Sequence, residues 1–554
     1  MRGDLEWGSI PGLVRAAAER YGDGEAVVDG RTRVSYAELG ERVERAAGAC
    51  IANGVRAGDR VAVWAPNTLD WIVSALGAVT AGAVLVPLNT RFKGAEAAYV
   101  LERTRAKLLF VTGTFLGASY VASLRRAAGE GGEGAGGTAG AGGTAGPLPG
   151  LPHLQQVVVL SDDAPADFRT WKDFLADGEG VTDAEVRARA NGITGGCASD
   201  IIFTSGTTGR PKGAVITHAQ TLRGYEVWSD LAGLREGDRY LIVNPFFHTF
   251  GYKAGIVACL MRGATMVPQP VFNVDTVLAN IAAERISVLP GPPTLHQSLL
   301  DHPSRDAYDL SALRLVVTGA AVVPLQLVER LRGELHVDTV LTAYGLSEAS
   351  GIVTMCRRGD AAEVIASTSG RAIPGTEVRV VGPAGDALPP GTPGEVLVRG
   401  FNVMQGYFED PKSTAEVLTP DGWLHTGDVG VLDEAGNLRI TDRIKDMFIV
   451  GGFNAYPAEI EQLLGLHQDV ADVAVIGVPD PRLGEVGKAY VVRRPGATTL
   501  TADDLIAWSR REMANYKVPR SVEFLGELPR NASGKVVKGQ LRGRGGRHGT
   551  GGAT

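Results

Sequence analysis

The chain has 554 residues, of which 44% are hydrophobic and 21% charged, with a net charge of −7. That length calls for more than one domain, or one large domain with a satellite, built around ordinary packed cores. The acidic balance excludes a broad basic surface for nucleic acid, and Cys50, Cys197, Cys259 and Cys356 have neither C-x-x-C spacing nor clustered histidines, which excludes a zinc site and suits reduced thiols.

The N-terminus, "MRGDLEWGSIPGLVRAAAERYG", lacks the apolar core of a secretory leader. No apolar run approaches the roughly 18–20 residues that span a bilayer, so the expectation is a cytoplasmic protein with no integral membrane segment. From Arg60 onward short β-branched runs alternate with Ala-rich stretches. "RVAVWAPN" reads as a strand, "TLDWIVSALGAVTAGA" as a helix, "VLVPLN" as a strand, "KGAEAAYVLERTRA" as a helix and "KLLFVTG" as a strand. This rhythm predicts βα units on a parallel sheet. A second series, "RYLIVNPFF", "ATMVPQP", "VDTVLANIAAERISVLPGPP", "LRLVVTGAA" and "DTVLTAYG", predicts another. Residues 377–440 shift to short strands and turns, a small β-rich subdomain, and a compact α/β segment follows to about Gly539.

Between these blocks, residues 129–150 are nearly all Gly, Ala and Thr. They cannot bury enough apolar area to offset ordering, so a disordered surface insertion is expected, as is a disordered tail over 541–554.

The stretch "IIFTSGTTGRPKGA", Ile201 to Ala214, breaks from an apolar run into a hydroxyl- and glycine-rich loop that ends on a cation. Gly206 and Gly209 let backbone amides converge on an anion. Thr204, Ser205, Thr207 and Thr208 offer hydroxyls, and Lys212 a charge, so the loop can cradle a triphosphate. The spacing is not that of a Walker A loop, and composition alone also allows a polar turn between strands.

The loop resembles the phosphate-binding signature of the AMP-forming adenylating superfamily, which includes acyl- and aryl-CoA ligases, peptide-synthetase adenylation domains and firefly luciferase. Further signatures follow in that family's order: "TGAAVVP" from Thr318, "YGLSE" from Tyr344, "GWLHTGD" from Gly422, "TDRIKDMFIVGGFNAYPAEIE" from Thr441 and "LPRNASGK" from Leu528. The resemblance runs from Trp7 to Lys538. It implies an α/β fold: a large N-terminal domain over 1–441, of two βαβ-type subdomains plus the small β-rich one, and a small mobile α+β lid over 442–540. It also implies a reaction in two halves. A carboxylate attacks the α-phosphorus of ATP, giving an acyl-adenylate and pyrophosphate; the thiol of coenzyme A then displaces AMP.

The same resemblance assigns residues. Tyr344 is a flat face for adenine, with Gly319, Ala320, Ala321, Ala343 and Gly345 forming its wall. Ser347 contacts the α-phosphate where the family more often has Thr, and Glu348 is a hard oxygen ligand for Mg2+. Asp428 accepts from the ribose hydroxyls, with Arg443 as companion. Lys445 is the hinge, and Gly451 and Gly452 let backbone pass close to the pantetheine arm of coenzyme A. Lys535 reaches the α-phosphate and the carboxylate during adenylation, a point charge on a long stem. His248 in "NPFFHTFGY" is the aromatic gate between acyl pocket and thiol channel, although a lone histidine is more often structural. The catalytic set is therefore Thr204, His248, Glu348 and Lys535.

No acidic residue lies between Asn244 and Lys253 to pair a substrate ammonium, which argues against an amino-acid substrate. "FFHTFGYKAGIVACLMRGATMVPQP" and "LPGPPTLHQSLL" most resemble actinobacterial steroid-degradation ligases acting on a bicyclic indanedione propanoate. Gly251, Gly291 and Gly319 are compatible with a wide pocket for such an acid, and equally with a fatty chain. A medium- or long-chain fatty acid is the second substrate, and a non-catalytic nucleotide-binding regulator the reading from another class. No coiled-coil or repeat signal appears, and a homodimer stays open.

Overall fold

The structure is a computed structural model. It describes residues 2–129, 148–161, 164–165, 168–204, 210–319, 323–443, 448–455, 457–494, 496–497, 499–529, 536 and 538–545. The chain divides into two compact units: Met1–Thr90, Ala97–Phe203 and Gly213–Asp442 form one, and Arg91–Glu96, Thr204–Lys212 and Arg443–Thr554 the other. The α/β expectation is met. Most of the 129–150 insertion lies outside the described residues; at its C-terminal end Leu148 is buried and Gly150 N–H donates to the Ala128 carbonyl, and the tail expected to be disordered from 541 instead begins within a helix, Lys538–Gly545, whose Leu541 is buried.

In the first unit the predicted βα alternation appears as Arg60–Trp64, helix Leu69–Thr80, Val84–Pro87, helix Gly94–Thr104 and Leu108–Val111. Thr68 caps the Leu69–Thr80 helix by accepting from Trp71 N–H. That helix is almost wholly buried, so it is apolar all round and the chain can cover it only with other layers. The strands pair in parallel, Val61 beside Leu85 and Leu108, within a sheet that is eight-stranded among the described residues. Parallel strands buried on both faces need continuous Val/Ile/Leu runs, which these have.

A second sheet carries the strands that build the site. Arg239–Ile242, Thr265–Pro268 and Glu25–Asp29 run parallel, and Leu315–Gly319 runs parallel to Thr339–Tyr344. Single bridges through Val288 to Tyr240 and Leu315 join the two groups. Beside them stands the expected β-rich subdomain, an antiparallel sheet of Thr376–Val381, Gly394–Gly400, Leu424–Leu432 and Leu438–Arg443.

The second unit is a sheet of Phe453–Ala455, Phe448–Val450, Gly484–Arg493, Val470–Asp480 and Ser521–Phe524, packed by helices Pro457–Leu464 and Ala502–Glu512. Lys517 is buried within this unit between Glu459 at 2.7 Å and Glu96 at 2.6 Å. Gly451 and Gly452 make the two-residue turn between Phe448–Val450 and Phe453–Ala455, both with positive φ, as a tight hairpin requires.

Candidate functional site

Three motifs meet in the first unit. Tyr344 ends the strand Thr339–Tyr344, and its hydroxyl donates to Asp428 Oδ2 at 2.5 Å. Asp428 is buried on strand Leu424–Leu432, where Thr426 Oγ1 accepts from its N–H. The Tyr344 ring and the Asp428 carboxylate are thus locked to one another.

Glu348 sits in the one-turn helix Ser347–Ala349, half-buried. Its Oε1 accepts from the Tyr407 hydroxyl at 3.0 Å, and its carbonyl accepts from Met404 N–H at 2.8 Å. Tyr407 comes from a short strand, Gly406–Tyr407, that pairs with Lys212–Thr217. Sequence reasoning missed Tyr407; the only signal was an aromatic after glycine in "MQGYF". Glu348 fits a Mg2+ ligand, being a hard, oriented oxygen donor of the kind that completes a shell made mostly of water and phosphate.

The turn that presents Glu348 depends on close backbone contact. A Cβ on Gly345 would stand 2.2 Å from the carbonyl oxygen of Gly351, and Gly351 itself has φ of +90°. Gly319 lies beside Ala343 in register, and a Cβ there would meet the Ala343 carbonyl at 2.8 Å.

His248 caps the helix Thr249–Gly251; its Nδ1 accepts from Phe250 N–H at 3.2 Å, which leaves Nε2 to carry the proton. The ring reaches solvent, and such desolvation as it has draws the imidazole toward its neutral form, below the usual histidine range. Asn67, buried and also missed from sequence, ties down the approach to His248: its amide donates to the carbonyls of Ile242 and Asn244 and its oxygen accepts from Phe246 N–H.

One expectation is corrected. Gly251, Gly291 and Gly319 do not widen an acyl pocket. A Cβ on Gly251 or Gly319 would meet the Pro245 carbonyl at 2.1 Å or the Ala343 carbonyl at 2.8 Å, so backbone packing demands these two, while one on Gly291 would meet the tip of the Leu295 side chain at 2.9 Å.

In the second unit, Thr204 Oγ1 approaches the Lys212 carbonyl at 3.5 Å. Ser205, Gly206, Thr207, Thr208, Gly209, Ala320, Ala321, Lys445 and Lys535 lie outside the described residues, as does the side chain of Arg443.

The family model described as "AMP-binding enzyme" matches residues 14–408, and "AMP-binding enzyme C-terminal domain" matches 459–535. The chain belongs to the AMP-binding enzyme family. Among relatives of this AMP-binding enzyme, a 3-[(3aS,4S,7aS)-7a-methyl-1,5-dioxo-octahydro-1H-inden-4-yl]propanoyl:CoA ligase from Rhodococcus jostii is 50% identical over 96% of this chain and 98% of its own. The like-named ligase of Mycobacterium tuberculosis is also 50% identical, with the same coverage. A feruloyl-CoA synthase from Amycolatopsis is 38% identical over 94% of this chain and 95% of its own. Of solved structures, an o-succinylbenzoate CoA synthetase from Bacillus subtilis bound to a product analogue superposes with a TM-score of 0.79 at 26% identity, covering 96% of this chain and 98% of its own. No helix among the described residues is long and apolar enough to cross a membrane.

Proposed function

We propose that this enzyme is an ATP-dependent acyl-CoA ligase that activates a bicyclic, steroid-derived indanedione propanoate. The observation that carries the substrate is the 50% identity, over 96% of the chain, to two ligases named for that acid.

On this reading the residues divide the work of the two half-reactions. Asp428 accepts from the ribose, with Arg443 beside it, while Tyr344 presents its ring to adenine and the strand ends at Gly319–Ala321 and Ala343–Gly345 close the base in. The loop Thr204–Lys212 holds the phosphate tail through amides, hydroxyls and the Lys212 ammonium. Ser347 touches the α-phosphate. Lys535 brings positive charge to the α-phosphate and the attacking carboxylate, where two anions must approach each other; one fixed cation of this kind is worth about 10²–10³ in rate. Mg2+, held by Glu348, would supply charge neutralisation between the phosphates. Neutral His248 gates the acyl carbonyl from the thiol channel, and a lid over 442–540, hinged at Lys445, brings Gly451 and Gly452 to the pantetheine arm. The place of action is the cytoplasm, and a homodimer is checked by sedimentation.

The test is acid-dependent ATP–pyrophosphate exchange followed by thioester formation, run over the indanedione propanoate, medium- and long-chain fatty acids and hydroxycinnamates. Highest kcat/KM with the indanedione acid supports the reading. Preference for a fatty acid or for ferulate moves the substrate to that class, and no acid-dependent exchange at all removes catalysis.

A further inference from the structure

The helix that starts at His248 is irregular. Thr249–Gly251 passes into a π-helical run, Tyr252–Val257, before ordinary helix resumes at Ala258–Arg262. Such π turns are rare and are frequently found at functional sites. Within this one stands Lys253, whose side chain is fully buried. Its Nζ lies 2.9 Å from Oδ1 of Asp200, equally buried, on the strand Ala198–Thr204. Ser199 Oγ donates to the other carboxylate oxygen at 2.6 Å. The ammonium contact is poorly aligned as a hydrogen bond, so charge attraction is what holds it. Burial draws the Lys253 ammonium below its usual range, and Asp200 pulls it back up.

The surroundings tie this pair to the catalytic turn. Tyr225 donates to the carbonyl of Ser350 at 3.0 Å, two residues beyond Glu348. A Cβ on Gly351 would meet both the Tyr225 hydroxyl at 2.5 Å and Thr249 at 2.6 Å, so the His248 helix, the Glu348 turn and the Tyr225 helix meet with no spare volume. A buried ion pair is a poor source of stability, because desolvating both charges offsets their attraction and apolar residues of similar size serve as well. Charges do enforce one arrangement: the ammonium has a single place to go, where an apolar side chain has several.

We propose that Asp200 and Lys253 are positioning residues for acyl transfer: their contact sets where the His248 helix sits on the sheet, and so where the His248 ring stands at the reacting carboxyl group. This rests on the reading of His248 as the gate. The double variant Asp200→Leu/Lys253→Met removes both charges and keeps similar branching and reach, with Leu somewhat bulkier than Asp. It is expected to melt at or above the parental temperature, with KM for coenzyme A within about 3-fold, while single-turnover transfer from preformed acyl-adenylate slows about 10–100-fold, the cost of a small misplacement of a reacting group. In a His248→Ala background the same double change should alter transfer by less than about 3-fold, because residues acting through one group are not additive. Should the apolar pair fail to fold, Asp200→Asn/Lys253→Gln carries the same comparison. Parental transfer in a folded double variant overturns the proposal, and so does a slowing of equal size with and without His248. Parental transfer in His248→Ala alone overturns the gate reading and takes this inference with it.

Discussion

The hydroxyl of Tyr344 donates to the carboxylate of Asp428 at 2.5 Å, joining the end of a parallel strand to the buried middle of an antiparallel one. Each residue was read from its own motif with its own ligand contact; the structure makes them one unit. A hydrogen bond to a charged partner is worth about 1.5–3 kcal/mol. Tyr344→Phe should therefore lower kcat/KM for ATP by roughly 10–100-fold in the exchange assay, most of it in KM. Asp428→Ala should lose more, because it removes the carboxylate proposed to accept from the ribose as well. Equal ATP kinetics for Tyr344→Phe and the parent would show that the bond does not set the nucleotide's place.

Glu348 and Tyr407 form the second such unit, at 3.0 Å. Glu348→Gln keeps the shape and loses the charge, so it should raise the Mg2+ concentration needed for half-maximal exchange by about 10-fold or more. Tyr407→Phe should shift the same titration in the same direction by a smaller factor. An unmoved Mg2+ dependence in Glu348→Gln would exclude it as the ligand.

Lys535→Ala separates the half-reactions. Exchange should fall about 10²–10³-fold, the usual loss for one group aimed at developing charge. Thioester formation from supplied acyl-adenylate should persist. Retention of full exchange removes Lys535 from the adenylation step.

Gly345 tests the turn itself. With the Gly351 carbonyl 2.2 Å from any added Cβ, Gly345→Ala must move backbone rather than a flexible side chain. Overpacking of this kind costs about 1–3 kcal/mol. The variant should melt about 1–3 °C lower and lose activity together with Glu348→Gln; an unchanged melting temperature would mean that the turn relaxes freely.

Two buried histidines give the protein an acid limit. Burial holds His218 down to about 3, with the charge of Lys253 adding to the effect, and His296 down to about 4. Both are depressed from the 6.5 of the unfolded chain, so their contribution is complete above that pH and is lost as the solution is acidified toward pH 4 and then 3. Each proton taken up on unfolding adds a slope of about 1.4 kcal/mol per pH unit. Denaturant melts at pH 7.5, 6 and 5 should show the fall. Among the described residues neither ring nitrogen of His296 has a well-aligned hydrogen bond, its backbone contact with Gly291 being a weak one, so His296→Leu should hold its stability at pH 7.5 and flatten the slope below pH 6.5. A slope unchanged in His296→Leu would assign the acid limit elsewhere.

The sequence by itself determined the alternation of strands and helices, because a two-residue period and a buried apolar helix leave their marks in local composition: "RVAVW" and "LDWIVSALGAVT" appear as strand and helix where they were expected. It also determined the family, because phosphate cradling, ribose recognition and charge delivery each need particular residue types in short spacings. Only the tertiary structure decided which of those residues act as pairs. Tyr344 with Asp428, Glu348 with Tyr407, and Lys253 with Asp200 are each far apart in the chain, and nothing in local spacing encodes a contact made by folding one sheet against another. It likewise decided the glycines: Gly251, Gly291 and Gly319 look like room for a substrate when read in line, and prove to be places where backbone or a neighbouring leucine already fills the space. Local periodicity records which face of an element is buried; what it is buried against is a property of the assembled layers.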